Sequence, residues 1–315
     1  MNSLLIIGGS GFFGKSILEA FNLGFLDKFN ICSITIVSRN AEALKITNPD
    51  LLTSQVSLVN DDIRICTKLP NADIVINAAT SSSEVSYLAN PNLEKNNILI
   101  GVNNFCKLSK KYLINSKILY VSSGAVYGNQ PATLNNISES EEFYSLNLFT
   151  PTKRAYAEAK REAEFQIKNL GSCGFDVSIA RCFSFVGKYL PLNTHFAIGN
   201  FIGNAKFSGE IKVEAKQNVY RSYMHTYDLA QWLLSIAFAA SPQAPIYNVG
   251  SDFAITIHDL AKLIGERYGL RIYVPAIDSQ VIDRYVPSIT KIKKDLNLSI
   301  EYSLPQAIAL TYDSI

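Results

Sequence analysis

The first 184 residues alternate short apolar runs with amphipathic stretches. Runs with the length of buried strands cover residues 3–7, 31–37, 56–59, 72–77, 118–121 and 176–180. Apolar side chains recur at helical spacing between several of these runs, as at residues 15–25 and 92–111. Strands that alternate with helices in this way predict an α/β fold, a Rossmann-type doubly wound parallel sheet with right-handed crossovers.

This alternation breaks after residue 184. Helical patterns follow at residues 196–207, 227–239, 257–268 and 304–312, and short strand patterns at 211–214 and 247–249. We therefore predict a Rossmann domain at residues 1–184 and a smaller C-terminal α/β lobe at residues 185–315. Some segments of the lobe are expected to return to the Rossmann sheet.

The composition narrows the class of protein further. Apolar residues make up 48% of the chain and charged residues 18%, with a net charge of +2, which is typical of a soluble globular protein. This balance gives no argument for nucleic acid or a membrane surface as a partner. The five cysteines lack Cys-x-x-Cys spacing and the three histidines are well separated. We predict reduced thiols in a cytoplasmic protein and no metal site.

A glycine-rich turn follows the first apolar run directly, before a helical stretch. Glycines there permit a tight turn and a close approach of the backbone to a pyrophosphate, and the helix that follows offers free N–H groups. The string satisfies Gly-x-Gly-x-x-Gly in the required context of strand, turn and helix. It predicts a dinucleotide site, with a purely structural turn as the alternative. The predicted contacts are Gly8, Gly11, Phe12, Phe13 and Gly14.

The end of the second apolar run bears on the choice of cofactor. An NAD site usually carries an acid here for the ribose 2′-hydroxyl, whereas an arginine accommodates a 2′-phosphate. The chain has Ser38-Arg39-Asn40 at this point and no acid. NADP is therefore favoured over NAD, which remains the alternative cofactor. Arg39 could also be a solvated loop residue, or stack on adenine without selecting between them.

Further cofactor contacts are predicted where later runs end. Asp62 could meet the adenine amine, and the small side chains of Ala78 and Ala79 would leave room for the cofactor. With these, the predicted cofactor positions are Ser38, Arg39, Asp62, Ile63, Ala78, Ala79 and Asn97, in addition to Tyr156 and Lys160.

The stretch 150–160 predicts a helix with a chemical function. Thr150 can cap its first turn and Pro151 fits its first position. Tyr156 and Lys160 are spaced i and i+4, so they share one helix face. A nearby ammonium lowers the pKa of a phenol, so the pair could move a proton on a substrate oxygen. The alternative is a packed tyrosine and a solvated lysine.

Ser123 follows the run at 118–121, at the sheet edge where ligands bind in open parallel sheets. The glycine turn, Ser123 and the Tyr156/Lys160 pair, in this order, resemble the extended short-chain dehydrogenase/reductase family, in its NAD(P)-dependent nucleotide-sugar epimerase, dehydratase and reductase branch. Residues 122–128 are similar to the family's Ser-Ser-x-x-Val-Tyr-Gly string. Residues 221–229 and 247–250 resemble its Arg-x-[Phe/Tyr]-x-[His/Tyr]-x-x-Asp-[Leu/Val] and Tyr-Asn-[Val/Ile]-Gly segments. The resemblance covers essentially the whole chain.

The resemblance implies a role for each matching residue. Tyr156 would be the proton donor or acceptor, Lys160 would hold the nicotinamide ribose, and Ser123 would hydrogen-bond the reacting oxygen. Arg221 would reach the substrate's nucleotide diphosphate or ribose, or could instead pair with Asp228. The C-terminal lobe would bind the nucleotide sugar, and a homodimer through the helices at 92–111 and 152–169 is expected. The substrate contacts so predicted are Ser81, Ser123, Tyr156, His195 and Arg221; His195 could equally be a capping or packed residue.

Departures from the family pattern narrow the expected reaction. The family's 4,6-dehydratases carry an Asp-Glu pair directly after the serine or threonine, and this chain has Gly124-Ala125. The resemblance therefore implies an NADPH-dependent reductase of a nucleotide-activated 4-keto-6-deoxy sugar. The alternative is an NAD-dependent nucleotide-sugar 4-epimerase, which needs no residues beyond Ser123, Tyr156 and Lys160. A cofactor-binding scaffold without turnover is a third hypothesis, which the retained catalytic residues disfavour.

Overall fold

The computed structural model of the protein describes residues 1–80, 88–192 and 196–315. Its strands, in chain order, are β1 (Asn2–Ile7), β2 (Ile31–Ser38), β3 (Val56–Asn60), β4 (Ile74–Asn77), β5 (Lys117–Ser123), β6 (Val177–Cys182), β7 (Phe185–Val186), β8 (Glu210–Lys212), β9 (Asn218–Arg221), β10 (Met224–His225), β11 (Ile246–Val249), β12 (Ile255–Thr256), β13 (Arg271–Tyr273) and β14 (Ile282–Tyr285).

The described α-helices are α1 (Phe12–Asn22), α2 (Leu44–Thr47), α3 (Pro91–Tyr112), α4 (Pro151–Ser172), α5 (Ala197–Phe207), α6 (Thr226–Phe238), α7 (Ile257–Tyr268), α8 (Thr290–Leu296) and α9 (Leu304–Ser314). Short 3-10 turns lie at Asp27–Phe29, Ala41–Ala43, Pro49–Leu51 and Gly124–Tyr127. Within the described ranges, no helix is both long and apolar enough to cross a membrane.

A seven-stranded sheet in the order β11-β6-β5-β4-β1-β2-β3 forms the centre of the fold. The pairs β1–β2, β1–β4, β2–β3, β4–β5 and β5–β6 are all parallel. The strand order reverses between β1 and β4, and open α/β sheets bind ligands outside the carboxyl ends of strands at such a point. The predicted doubly wound Rossmann fold is confirmed.

Burial explains why the strands read as continuous apolar runs. Leu4, Leu5, Ile6 and Ile7 of β1 are all at most 1% exposed, because a parallel sheet of this kind is covered on both faces. The helices α3 and α4 cover part of the sheet and contribute Phe105, Ile167 and other apolar side chains to one core cluster.

Local capping sets the start of α4, as the sequence predicts. Thr150 is the N-cap, its Oγ1 accepts the backbone N–H of Lys153 at 3.3 Å, and Pro151 occupies the first helical position. In α3 the side chain of Asn90 accepts the N–H of Leu93 in the same way. Strands β7, β9, β10 and β12–β14 were not predicted, since segments of two to four residues are too short to show a hydrophobic period of their own.

The chain divides into two compact units that interleave along the sequence. The first consists of Met1–Gly128, Ser145–Cys182 and Ala230–Tyr247, and the second of Asn129–Tyr144, Phe183–Leu229 and Asn248–Ile315. Residues 129–144 thus lie in the second unit, although they fall within the predicted range 1–184. The assignment of residues 1–184 to dinucleotide binding and of 185–315 to substrate binding stays a prediction.

Inside the second unit, three small sheets replace the long parallel one. Strand β9 pairs antiparallel with β12 and parallel with β14, while β8 pairs with β13 and β7 with β10. The register places Arg284 of β14 opposite Tyr220 of β9, and the guanidinium lies 4.0 Å from the ring centroid.

Candidate active site

The glycine turn after β1 is a tight piece of backbone in the first unit. Gly8 has a φ of +84°, and a Cβ there would lie 2.8 Å from the backbone of Ala79. A Cβ on Gly14 would overlap the backbone of Gly9. A Cβ on Gly11 would meet Gly8 O at 3.4 Å, which is an ordinary contact. The fold therefore requires glycine at positions 8 and 14, whereas the protein around Gly11 would accept a side chain there.

The helix α1 begins at Phe12, directly after this turn, with Gly11 as its N-cap. Glycine has no side chain to accept the N–H groups of the first turn, so those donors and the positive end of the helix dipole remain for an anion. Phe12 and Phe13 are half-buried, with their ring centroids 5.6 Å apart. The predicted pyrophosphate contacts are thus adjacent in space, and the residues present fit a dinucleotide.

Just after β3, Asp62 forms an ion pair within the protein, and its predicted contact with the adenine amine stays a prediction. Both of its carboxylate oxygens bond to Arg64, with Nη2 to Oδ2 at 2.6 Å and Nε to Oδ1 at 3.0 Å. Arg64 also donates to Asn97 Oδ1 at 2.8 Å, which joins two predicted cofactor contacts in one network. The hydrogen bonds from Arg64, above all, hold the pKa of Asp62 below its usual range. Arg64 was not singled out in the sequence, because its partner Asn97 is 33 residues away.

The end of β2 and the bend after β4, which carry further predicted cofactor positions, lie beside the glycine turn. Ser38 Oγ is 2.6 Å from Ser10 Oγ, so the end of β2 is tied to the glycine turn, and Arg39 is exposed. The N–H of Ala78 donates to Ile7 O at 2.9 Å, which brings the bend after β4 beside the end of β1. Ile63 lies next to the helix α3, against Gly101.

Three hydroxyls meet at the end of β5. The Tyr156 hydroxyl hydrogen-bonds with the side chains of Ser123 and Thr80. Ser123 Oγ in addition accepts the N–H of Ala125 at 3.2 Å, because Ser123 caps the 3-10 turn Gly124–Tyr127. The structure thus brings together Ser123 and Tyr156, as expected, and adds Thr80. Thr80 was not predicted, because its only signal in the sequence is its position after a strand.

The pKa of Tyr156 shifts opposite to the expected direction. Burial by the surrounding protein raises it to about 12, although the bonds from Ser123 and Thr80 partly oppose this effect. The expectation of a lowered pKa was wrong because the i, i+4 spacing fixes where the lysine backbone lies, but not where its ammonium goes. Lys160 Nζ lies 5.8 Å from the centroid of the Tyr156 ring and bonds to β5 instead. In this state the phenol is protonated at neutral pH.

Lys160 is 1% exposed and ends in a polar niche on β5. Its Nζ donates to Val121 O at 2.9 Å and to the Tyr120 hydroxyl at 3.2 Å. Burial lowers the pKa of Lys160 to about 8, and the neighbouring Cys182 and Glu164 oppose part of that shift. The ammonium is therefore mostly charged at pH 7, and it loses its charge within the mildly alkaline range.

A buried polar network lies one helical turn beyond Lys160. Glu164 forms an ion pair with Arg181 of β6, and Glu164 Oε1 also accepts the Ser122 hydroxyl at 2.6 Å. The Arg181 guanidinium lies 4.6 Å from the centroid of the Tyr127 ring. The network was not predicted, since an acid within a helix and an arginine within an apolar strand have no fixed spacing.

The predicted substrate contacts fall partly in the second unit. Arg221 Nη2 pairs with Asp283 Oδ2 at 2.7 Å, and not with Asp228 as the alternative had it. Asp228 instead accepts the N–H groups of Glu301 and Tyr302, each at 3.2 Å. Ser81 and His195 lie outside the described residues, so the structure does not place them.

Comparison with known proteins gives this geometry a family context. The sequence model of the NAD-dependent epimerase/dehydratase family matches residues 4–250. The dTDP-D-glucose 4,6-dehydratase of Dictyostelium discoideum is 26% identical over 277 residues, which cover 84% of this chain. The chain spans 62% of the length of that relative.

Two solved structures show the same fold. The UDP-glucose 4-epimerase of Thermotoga maritima, solved with UDP-glucose, aligns with a TM-score of 0.77 at 18% identity, over 99% of this chain and 98% of its own. The dTDP-glucose 4,6-dehydratase of Streptomyces venezuelae, solved with NAD and TYD, gives 0.78 at 18% identity, over 99% and 96%. Because the family match spans most of the sequence, the chain belongs to the NAD-dependent epimerase/dehydratase family, a family of enzymes.

Proposed function

We propose that the protein is an NADPH-dependent reductase that converts a nucleotide-activated 4-keto-6-deoxy sugar to the corresponding alcohol. One observation carries this proposal: Tyr156 is a neutral phenol, with a pKa raised to about 12, hydrogen-bonded to Ser123. A reductase needs a proton donor at the ketone oxygen, and a protonated phenol is ready to act as one. An oxidation would first require the phenolate, which burial disfavours.

The proposed mechanism assigns one task to each residue. The nicotinamide, when bound, supplies the hydride that reaches the ketone carbon. Tyr156 donates its proton to the ketone oxygen, and the Ser123 hydroxyl holds that oxygen next to the phenol. Lys160 keeps a positive charge close to the phenol, so that it stabilises the negative charge which Tyr156 acquires.

Two features support a nicotinamide dinucleotide, and NADPH in particular. The side-chain-free N-cap Gly11 and the uncapped start of α1 suit a pyrophosphate. Arg39 is exposed at the end of β2 and no acid occupies positions 38 to 40, which suits a 2′-phosphate. NAD is the alternative, since the similar structures from S. venezuelae and Thermus thermophilus were solved with NAD.

Dehydration has less support, although a curated relative is a 4,6-dehydratase. Residues Gly124 and Ala125 of the turn after Ser123 carry no ionisable group, whereas the dehydratase pattern has an Asp-Glu pair there. An elimination needs groups that remove and deliver protons at neighbouring carbons.

A 4-epimerase is the second candidate function. The similarity to the T. maritima epimerase supports it, as does the fact that epimerisation needs the same three residues. An epimerase would oxidise and re-reduce one carbon, so Tyr156 would have to act first as a base. The positive charge of a bound oxidised nicotinamide would favour the phenolate that this step needs.

One assay separates the two candidates. Purified protein is incubated with NADPH or NADH and a panel of nucleotide 4-keto sugars, and without added cofactor with the matching 4-hydroxy sugars, while absorbance at the reduced-nicotinamide band and the sugar products are followed. A reductase consumes one equivalent of NADPH for each ketone lost. An epimerase carries a dinucleotide through purification and interconverts 4-hydroxy sugars without net consumption, and that result would overturn the reductase proposal.

A further inference from the structure

Two of the three N–H donors of the Lys160 ammonium are bonded within the protein. An ammonium has three N–H donors. Val121 O takes one at 2.9 Å and the Tyr120 hydroxyl takes another at 3.2 Å. Within the part of the chain that the structure describes, no further acceptor bonds to Lys160. One N–H therefore remains for a ligand.

Tyr120 is a fully buried residue at the centre of β5, with 0% exposure. Side chains two apart on a strand point to the same face, so Tyr120 and Ser122 face one side of the sheet. They contact Lys160 and Glu164, which are spaced i and i+4 on α4. The strand and the helix thus meet through two matched polar contacts, which fix their relative position along the helix axis.

The Tyr120 side chain interacts with the ammonium in two ways. Its hydroxyl oxygen accepts a hydrogen bond from Nζ, and its ring centroid lies 4.9 Å from the same atom. Phenylalanine would supply the ring and the packing, but not the acceptor. Since an unpaired buried ammonium is costly, the hydroxyl contributes to keeping Lys160 charged in this niche.

We infer that Tyr120 is a positioning residue for the proposed reaction: its hydroxyl, together with the Val121 carbonyl, holds the Lys160 ammonium charged and directs its third N–H to the cofactor. The inference rests on the proposed function only in naming the cofactor as the group that accepts this donor. Tyr120 touches neither substrate nor the reacting atoms in this scheme, so its effect acts through Lys160.

Several other titratable groups face Lys160, and each must be separated from Tyr120 in a test. Tyr156 and Glu164 lie on its own helix, and Cys182 lies on β6. The Cys182 thiol is buried, which raises its pKa and keeps it neutral. Glu164 is already paired with Arg181, so the guanidinium offsets part of the negative charge that Glu164 presents to Lys160. The Tyr120→Phe variant changes none of these groups.

The test is the titration of Lys160 in Tyr120→Phe, followed by NMR of protein labelled with ¹³C in lysine side chains. The Lys160 signal is assigned by its absence in Lys160→Met. The wild-type signal should titrate with a pKa of about 8. Loss of an acceptor that stabilises the charged form should lower that pKa by about one unit. An unchanged value overturns the inference.

Cofactor binding gives a second readout in the same variant. At pH 7.5 a pKa shift from about 8 to about 7 reduces the charged fraction of Lys160 roughly threefold. The Kd for NADPH should therefore rise about threefold at pH 7.5 and return close to the wild-type value at pH 6. A loss that is equal at both pH values would indicate a merely structural role. If wild-type protein binds no dinucleotide, the proposed function fails, while the lysine titration still decides the role of Tyr120.

Tyr127→Phe is the matched control. Tyr127 is a buried tyrosine in the turn that follows β5, and its hydroxyl bonds to Arg181 instead of Lys160. Tyr127→Phe should reproduce any general loss of stability that comes from removing a buried tyrosine hydroxyl, and it should leave the pKa of Lys160 unchanged.

If Tyr120→Phe does not fold, the ¹³Cζ chemical shift of Tyr120 is followed against pH in wild-type protein instead. That shift should change with the same midpoint as Lys160, and its independence of pH near 8 would count against the inference.

Discussion

Glu164 and Arg181 form an ion pair inside the first unit, with Nη2 of the arginine 2.7 Å from Oε2 of the glutamate. Their side chains are only 2% and 4% exposed, and Nε of Arg181 adds a bond to Oε1 at 3.0 Å. The glutamate is one helical turn beyond Lys160 and the arginine immediately precedes Cys182. The pair therefore joins the helix of the candidate catalytic residues to the neighbouring strand.

Removal of one partner should destabilise the protein strongly. Glu164→Gln leaves the guanidinium of Arg181 buried without a counter-charge, at a cost of about 3–5 kcal/mol in the free energy of unfolding. The double variant Glu164→Leu/Arg181→Met should recover most of this loss, because apolar residues of similar volume often replace a buried pair without penalty. Urea unfolding measures both values. Equal destabilisation in the single and double variants would contradict this account.

An exposed ion pair provides the comparison. Lys293 and Asp252 lie 2.9 Å apart with side chains 45% and 42% exposed. Asp252→Asn should cost less than about 1 kcal/mol, since solvent screens such a pair.

Tyr156→Phe tests the proposed acid. Without the phenol the proposed proton donor is lost, and the Ser123 hydroxyl is a far weaker acid, so hydride transfer should fall about a hundredfold or more. The Kd for NADPH should change little, because the ring and Lys160 remain. Single-turnover measurements with a nucleotide 4-keto sugar give the rate. Unchanged turnover would remove Tyr156 from the mechanism.

Thr80 should affect the two directions of the reaction differently. Its hydrogen bond favours the phenolate form of Tyr156, so its loss in Thr80→Val should raise the pKa of Tyr156 further. Reduction uses the protonated phenol and should keep its rate near pH 7. Oxidation of the alcohol uses the phenolate, so the acid limb of its pH profile should move to higher pH. Thr80→Ser should restore the wild-type profile, and equal losses in both directions would argue against this role.

Features that depend on neighbours in sequence could be predicted. The glycine turn, the Thr150 cap and the shared helix face of Tyr156 and Lys160 each follow from spacing within about one turn or one loop. The parallel sheet could be predicted as well, because each apolar run has the length of a strand and the runs alternate with helical stretches.

Features that depend on where a long side chain ends could not be predicted. The ammonium of Lys160 extends to Tyr120, a partner 40 residues away, and Arg64 reaches Asn97 across 33 residues. The direction of the Tyr156 pKa shift was wrong for the same reason, since burial depends on the tertiary packing around the hydroxyl.

His225 should make the second unit sensitive to acid. Burial lowers its pKa to about 4, and its Nδ1 accepts the N–H of Tyr227 at 3.3 Å, a bond that protonation would remove. The folded state thus holds this histidine neutral. The stability it contributes is present above pH 6.5 and is lost as the pH falls towards 4.

The change His225→Phe isolates this effect. Between pH 7.5 and pH 5 the wild type should lose about 2 kcal/mol more of its free energy of unfolding than the variant does. Urea unfolding at the two pH values measures the difference. An identical pH dependence in both proteins would mean that His225 is accessible to protons when folded.

Exposed apolar side chains on α3 and α4 lead to a prediction about assembly. Leu93 and Ile100 of α3 are 52% and 50% exposed, and Phe165 of α4 is 58% exposed. Burying such side chains against a second copy of the chain would be favourable, so we expect a homodimer through these two helices. Phe165→Glu would place a charge in that interface and should yield a monomer in light scattering at micromolar concentration.

Phe207→Glu is the matched control. Phe207 is 72% exposed on α5 of the second unit, so this variant should leave the dimer intact. A monomeric wild type, or a dimer that survives Phe165→Glu and dissociates with Phe207→Glu, would place the interface elsewhere or remove it.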